Sequence, residues 1–119
     1  MNKNSKIINE ISSEGILRLT INNLDQNNAL SESMIQILID ELEAAASNQS
    51  IRVIVLAANG NVFCSGHDLK EITAARERHD SGEGFFQKLF DHCSTLMQII
   101  VNSPQPVIAE VDGIATAAG

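Results

Sequence analysis

The chain has 119 residues, the size of one domain and too short for two. Apolar residues make up 44% and charged residues 19%, so a buried core can form and a disordered acidic tail is excluded. Eight basic against 15 acidic residues leave a net charge of −7, and no Lys or Arg follows Lys88; that excludes the cationic face a nucleic-acid binder needs.

In chain order, Ile7–Ser12 alternates weakly, Ser13-Glu14-Gly15 turns, and Ile16–Ile21 alternates well, with Leu17, Leu19 and Ile21 on one face. Two strands around a glycine turn predict an antiparallel hairpin. Asn22–Asn28 is a polar loop without periodicity. Ser31 followed by Glu32 opens a helix, as a hydroxyl cap and an acid at the positive dipole end should. Its apolar stripe is Ile35, Leu38, Leu42, Ala45 and Ala46, and it fades at Ser47–Ser50. Arg52–Ala58 is a continuous β-branched apolar run, the pattern of a strand covered on both faces in a parallel sheet.

After the turn Asn59-Gly60-Asn61, Phe63–His67 reads as loop and Asp68–Ile72 as the start of a helix. Arg76–Gly84 is a charged connector. Phe86, Leu89, Phe90, Cys93, Leu96, Met97 and Ile100 recur at helical spacing, and the two prolines of Ser103-Pro104-Gln105-Pro106 end that helix. Val107–Val111 is a second buried-type strand, and Ile114–Gly119 is a small-residue turn leading into a helix. Two parallel strands make too small a sheet for the helices supplied, so the chain is expected to be the front part of a larger α/β domain.

No apolar run reaches the 18 or more residues of a membrane span, and Met1–Lys6 leads into only two apolar residues, without a signal-peptide core. Two cysteines, Cys64 and Cys93, are too few for a disulfide framework and fit a reducing compartment. Cys64-x-x-His67 has a legal metal-ligand spacing. His92 and Cys93, however, are adjacent on a helix and diverge by about 100°, so Cys93 reads as a buried free thiol and no metal is expected. Asp68 and Glu71 could form an acid/base pair, but at a helix start capping is the better reading. Glu110 and Asp112 read as a solvated strand end and His79 as exposed.

Chemistry is expected just beyond the ends of the buried strands. Phe63-Cys64-Ser65-Gly66-His67-Asp68-Leu69-Lys70-Glu71 turns main-chain amides outward before a helix start, where an oxyanion is favoured. Asp112–Gly119 offers a second approachable backbone. Together they suggest two main-chain donors converging on one substrate oxygen; taken alone, both are also ordinary tight turns.

These two segments resemble the paired signatures of the enoyl-CoA hydratase/isomerase (crotonase) superfamily, and Asn28-Ala29-Leu30-Ser31 resembles its Asn-Ala-Leu loop. The Ser-Gly-His-Asp and Ala-Thr-Ala-Ala-Gly forms are most similar to the enoyl-CoA hydratase domain-containing branch. The resemblance covers essentially the whole chain but only about the first half of a family member. It implies residues 1–119 as the N-terminal portion of a single crotonase-like domain, a right-handed spiral of ββα units. It also implies an acyl-CoA thioester as ligand, with no separate cofactor, its carbonyl oxygen held by the amides of His67 and Ala118. His67, Asp68, Leu69 and Lys70 would line the coenzyme A pocket, with Lys70 facing the adenine or phosphate portion.

The implied activity is reversible hydration or proton shuffling on an enoyl-CoA, in a trimer or dimer of trimers, in the cytoplasm or a mitochondrial matrix. The alternative is a truncated or non-catalytic member that binds acyl-CoA or a partner subunit without turnover. Four departures from the family pattern stand out. His67 replaces a small residue, Ala117-Ala118 replaces Gly-Gly, loop Leu24–Asn27 lacks a basic residue, and the hydratases' two acid/base glutamates would lie past Gly119.

Overall fold

The computed structural model describes residues 6–119, so the reading of the N-terminal lead-in at 1–5 falls outside the described residues. The hairpin forms as expected. Strand β1 (Ile7–Ile11) pairs antiparallel with β2 (Ile16–Ile21), placing Ile7 opposite Ile21 and Ile11 opposite Leu17. Leu17, Leu19 and Ile21 point into the core, each 4% exposed or less. A single 3-10 turn, Leu24–Gln26, leads to two consecutive left-handed residues, Asn27 and Asn28.

Helix α1 (Glu32–Ala46) starts where the cap predicts: the Met34 N–H donates to Ser31 Oγ at 3.1 Å. Its buried stripe is Met34, Ile35, Leu38, Ile39, Leu42 and Ala45. Ala46, expected in the stripe, is exposed, because at the last turn the face has rotated away from the sheet. Strand β3 (Val53–Ala58) runs parallel to β2, with Leu17 beside Ile54 and Leu19 beside Leu56. Its coverage is uneven. Ile54 and Ala57, on opposite faces of the strand, are buried, whereas Val53, Val55, Leu56 and Ala58 are half-buried, so neither face is fully closed.

Two expectations fail in the next stretch. Val62–Cys64 is a strand, β4, rather than loop, and Ile114–Ala115 is a strand, β6, rather than the lead into a helix. They pair in parallel with each other, Val62 beside Ile114 and Cys64 beside Ala115, as a separate two-stranded sheet. Pieces of three and two residues carry no periodicity of their own; only the partner strand makes them strands.

Helix α2 (Leu69–Arg76) is capped by Asp68, and α3 (Glu83–Val101) begins three residues ahead of the expected Phe86. The α3 stripe is split. Leu89 and Leu96 are buried against α1 and the sheet, Cys93 and Ile100 are half-buried, and Phe90, Met97 and Val101 are exposed. Strand β5 is Val107–Ala109, shorter than expected, and joins β3 in parallel at the edge of the sheet ordered β1-β2-β3-β5. As the edge strand of this sheet among the described residues, it is half-exposed at Val107 and exposed at Ile108 and Ala109 rather than buried. Among the described residues, no helix is long and apolar enough to cross a membrane.

Candidate functional site

The parallel pairing of β4 with β6 determines what lies together. Parallel strands finish at the same end, so the residues that follow each one, Ser65–Asp68 and Thr116–Gly119, emerge side by side. The Thr116 N–H donates to Cys64 O at 3.1 Å and ties the two turns together. Gly66 has φ +89°, a conformation open to glycine. A Cβ placed on it would lie 2.8 Å from Ala117 Cβ, 3.2 Å from Thr116 O and 3.3 Å from Ala118 N. The backbones are in direct contact there, and a side chain at residue 66 would wedge them apart. Ala117 is itself left-handed, at φ 51°.

A third segment closes the site. The Leu30 N–H donates to Gly66 O at 2.7 Å, and Leu30 sits in a parallel bridge with His67. Leu30 is held there by Asn28, which is 1% exposed. The Asn28 amide donates to Asn59 O at 3.0 Å and Val62 O at 2.7 Å, while its carbonyl accepts from the Asn23 N–H at 2.8 Å. One buried side chain thus joins the loop before α1 to the turn between β3 and β4. The sequence reading left Asn22–Asn28 as undifferentiated loop. The available signal was Asn27-Asn28, since asparagine is the side-chain-bearing residue most at ease in the left-handed region.

His67 follows Gly66 and Ala118 follows Ala117 at this contact, and each carries a main-chain N–H. Among the described residues, neither donates to another main-chain group, whereas neighbouring Leu30, Thr116 and Gly119 all do. His67, Asp68, Leu69 and Lys70 line one cavity of about 300 Å³, whose opposite wall is the loop Asp25-Gln26-Asn27 with Ala29. Ala118 lines a different, apolar cavity of about 230 Å³, with Cys64, Phe63, Leu96 and Met97. The predicted site residues therefore divide between two adjoining hollows.

Each candidate side chain has a definite position. Asp68 Oδ1 accepts from the N–H groups of Lys70 at 2.9 Å and Glu71 at 3.4 Å, the capping arrangement. Glu71 Oε1 accepts from the Glu32 N–H at 3.1 Å, joining α2 to the start of α1. Both carboxylates of the considered acid/base pair are thus engaged by backbone. Glu32 Oε2 meets His92 Nδ1 at 3.2 Å, which fastens α3 to α1. Two residues before His92, Phe90 packs edge-on against the His67 ring, with centroids 5.9 Å apart and planes at 67°.

Burial pushes the thiols of Cys64 and Cys93 upward; at Cys64 the Gly66 N–H opposes the shift and Cys93 adds to it. Both remain thiols at neutral pH and are poor nucleophiles. Glu110, at the strand end, pairs with Arg18 at 2.6 Å on the surface, and its carboxyl is held below the usual range by that guanidinium.

The family model for enoyl-CoA hydratase/isomerase matches residues 11–119. The mitochondrial enoyl-CoA hydratase domain-containing protein 3 of Xenopus laevis is 47% identical over 105 residues, covering 88% of this chain and 34% of that protein. The human protein of the same name is 40% identical over 106 residues, covering 89% and 33%. Among solved structures, the Mycobacterium smegmatis enoyl-CoA hydratase superposes with a TM-score of 0.87 at 41% identity, covering 97% of this chain and 43% of that one. The human enoyl-CoA hydratase domain-containing protein 3 superposes at 0.85 and 35% identity, covering 96% and 43%. The chain spans about a third of the length of the curated relatives it matches. With its crotonase-type α/β fold and all three signature segments meeting at one place, the chain belongs to the enoyl-CoA hydratase/isomerase family.

Proposed function

We propose that the protein binds an acyl-CoA thioester and holds its carbonyl oxygen between the main-chain N–H groups of His67 and Ala118. The observation that carries this reading is the backbone contact at Gly66, which puts Ala118 N 3.3 Å from a glycine Cβ position adjacent to His67. As the thioester becomes enolate-like, negative charge grows on that oxygen. Preorganised donors in a site shielded from water stabilise it, and loss of one donor of this kind costs about 3–4 kcal/mol. The coenzyme A portion runs along the cavity of His67, Asp68, Leu69 and Lys70, with Lys70 at its rim as the cationic partner for adenine or phosphate.

Oxygen stabilisation alone does not move a proton, so hydration or isomerisation of an enoyl-CoA needs an acid/base group as well. Asp68 and Glu71 are occupied by main-chain donors. We therefore assign the acid/base to residues outside these 119, in a lyase- or isomerase-type enzyme of fatty-acyl metabolism. The occupied carboxylates also favour the second reading, a family member that binds acyl-CoA or a partner subunit without turnover. A homotrimer or hexamer is the proposed assembly. The mitochondrial matrix is the proposed compartment, in line with the relatives' names; the cytoplasm is the alternative.

The test compares butyryl-CoA with S-butyl-CoA, the thioether without the carbonyl oxygen, by titration calorimetry. The thioester is expected to bind at least about tenfold tighter, the worth of two hydrogen bonds to one oxygen. Equal affinities would remove the oxyanion assignment. Crotonyl-CoA hydration, assayed beside it on these 119 residues, tests the acid/base assignment: no turnover is expected, and turnover would place an acid or base among these residues and exclude the non-catalytic reading.

A further inference from the structure

Glu71 has no part in the two-amide scheme, yet its carboxylate does not go where local sequence would send it. Asp68 and Glu71 have the spacing of a capping box, in which the acid three residues past the cap turns back to its own helix start. Asp68 plays its half, accepting from the N–H groups of Lys70 and Glu71. Glu71 crosses instead to α1, where its Oε1 accepts from the Glu32 N–H at 3.1 Å. Two residues earlier, the Leu30 N–H donates to Gly66 O at 2.7 Å. The lead-in to α1 and the segment Gly66–Glu71 are thus joined by two rungs, one at each end of that segment, with His67 between them.

The first rung sets the direction of the His67 N–H. The Gly66 carbonyl and the His67 N–H belong to one peptide group, planar and trans, so the two point in opposite directions. Turning that carbonyl to Leu30 turns the N–H away from the lead-in to α1. A single hydrogen bond leaves the peptide group free to rock about it, and a second rung removes that freedom. We propose that Glu71 is a positioning residue for the His67 N–H: by holding the first N–H of α1, its side chain keeps Leu30 on Gly66 O and the His67 donor aimed. This rests on the thioester reading above. The reach of the side-chain oxygen does the holding, rather than its charge. Glu32 is anchored from the far side as well, since its Oε2 meets His92 Nδ1 of α3 at 3.2 Å.

The test separates reach from charge in the full chain. Glu71→Asp keeps the charge and draws the oxygen back, while Glu71→Gln keeps the reach and removes the charge. Two quantities are read: the affinity ratio of butyryl-CoA to S-butyl-CoA, and the hydrogen exchange of the Leu30 amide relative to that of Met34, which Ser31 caps. Glu71→Asp is expected to lower the affinity ratio at least about threefold and to speed Leu30 exchange about tenfold, the scale of one weakened hydrogen bond. Glu71→Gln should leave both as they are. Gln105→Ala, which loosens the far end of α1, should lower the melting temperature and move neither. Values unchanged in Glu71→Asp overturn the assignment, and so does an equal loss in Glu71→Gln or in Gln105→Ala. If the unaltered protein binds the two ligands equally, the thioester reading falls by itself, and Leu30 exchange still decides whether Glu71 holds the Gly66 peptide.

Discussion

Asn28 does more for the site than any residue named for chemistry. It is 1% exposed and left-handed at φ 54°, and its side chain meets three main-chain groups, one in its own loop and two across the β3–β4 turn. Removing it leaves those groups short of partners inside the protein, where each unsatisfied group costs about 1–3 kcal/mol. Asn28→Ala is expected to lower unfolding stability by about 3 kcal/mol in urea titration, without a change in helix content of the remaining folded fraction. A loss below about 1 kcal/mol would show that water replaces the amide. Gly66 acts by the opposite means: the missing side chain lets two turns touch, and its carbonyl receives Leu30.

The elements hold one another through a few long-range polar contacts laid over apolar packing. Arg18 on β2 reaches across β3 to Glu110, just past β5, in a two-pronged ion pair with N–O distances of 2.8 and 2.6 Å. Arg18 holds the Glu110 carboxyl below the usual range, and backbone N–H groups of Gly84 and Gly82 do the same for Asp80 ahead of α3. A depressed folded-state pKa contributes stability above the unfolded value, about pH 4, and loses it as pH falls through the folded value. Stability should therefore fall below pH 4 in urea titrations, and Glu110→Gln should reduce that fall while lowering stability at pH 7. The pH 7 difference should shrink in high salt, since the pair is exposed. Gln105 does a similar job from the buried side: its amide donates to Ala45 O at 2.7 Å and Ile51 O at 3.3 Å, locking the end of α1 to the loop before β5.

At the scale of the molecule, the apolar surface is unevenly spent. The Cα radius of gyration is 14.9 Å, with extents of 50 × 28 × 25 Å, against about 13.5 Å for a compact domain of this length. Phe90, Met97 and Val101 of α3, Ile108 of β5 and Ile114 of β6 are exposed, while Leu89 and Leu96 on the same α3 helix are 2% exposed or less. The two sides of α3 should respond differently. Leu96→Ala is expected to cost about 2–5 kcal/mol through the cavity it leaves. Val101→Glu, at a site 81% exposed, should stay within about 0.5 kcal/mol. Parallel denaturant titrations compare the two, and a large loss at Val101 would mean that this face is covered in solution.

The β1–β2 hairpin, α1 with its Ser31 cap, β3, α2 with its Asp68 cap and the proline end of α3 were legible in the residues alone. Periodicity and capping are local, acting over a turn or two, and a single sequence records them. So were the turns at 63–71 and 112–119 as candidate sites, whereas the segment at 28–31 stood out only by the resemblance. Their meeting was not legible without the resemblance, because it depends on the register of β4 against β6 and the bridge from Leu30 to His67. Strands of two or three residues have no pattern to read, and their pairing is decided by partners some fifty residues away. Tertiary packing alone decided which half of the α3 stripe is buried, that β5 is an edge, and that Asn28 and Gln105 are interior. A helix period names a face, but only the neighbouring elements determine how much of that face is covered.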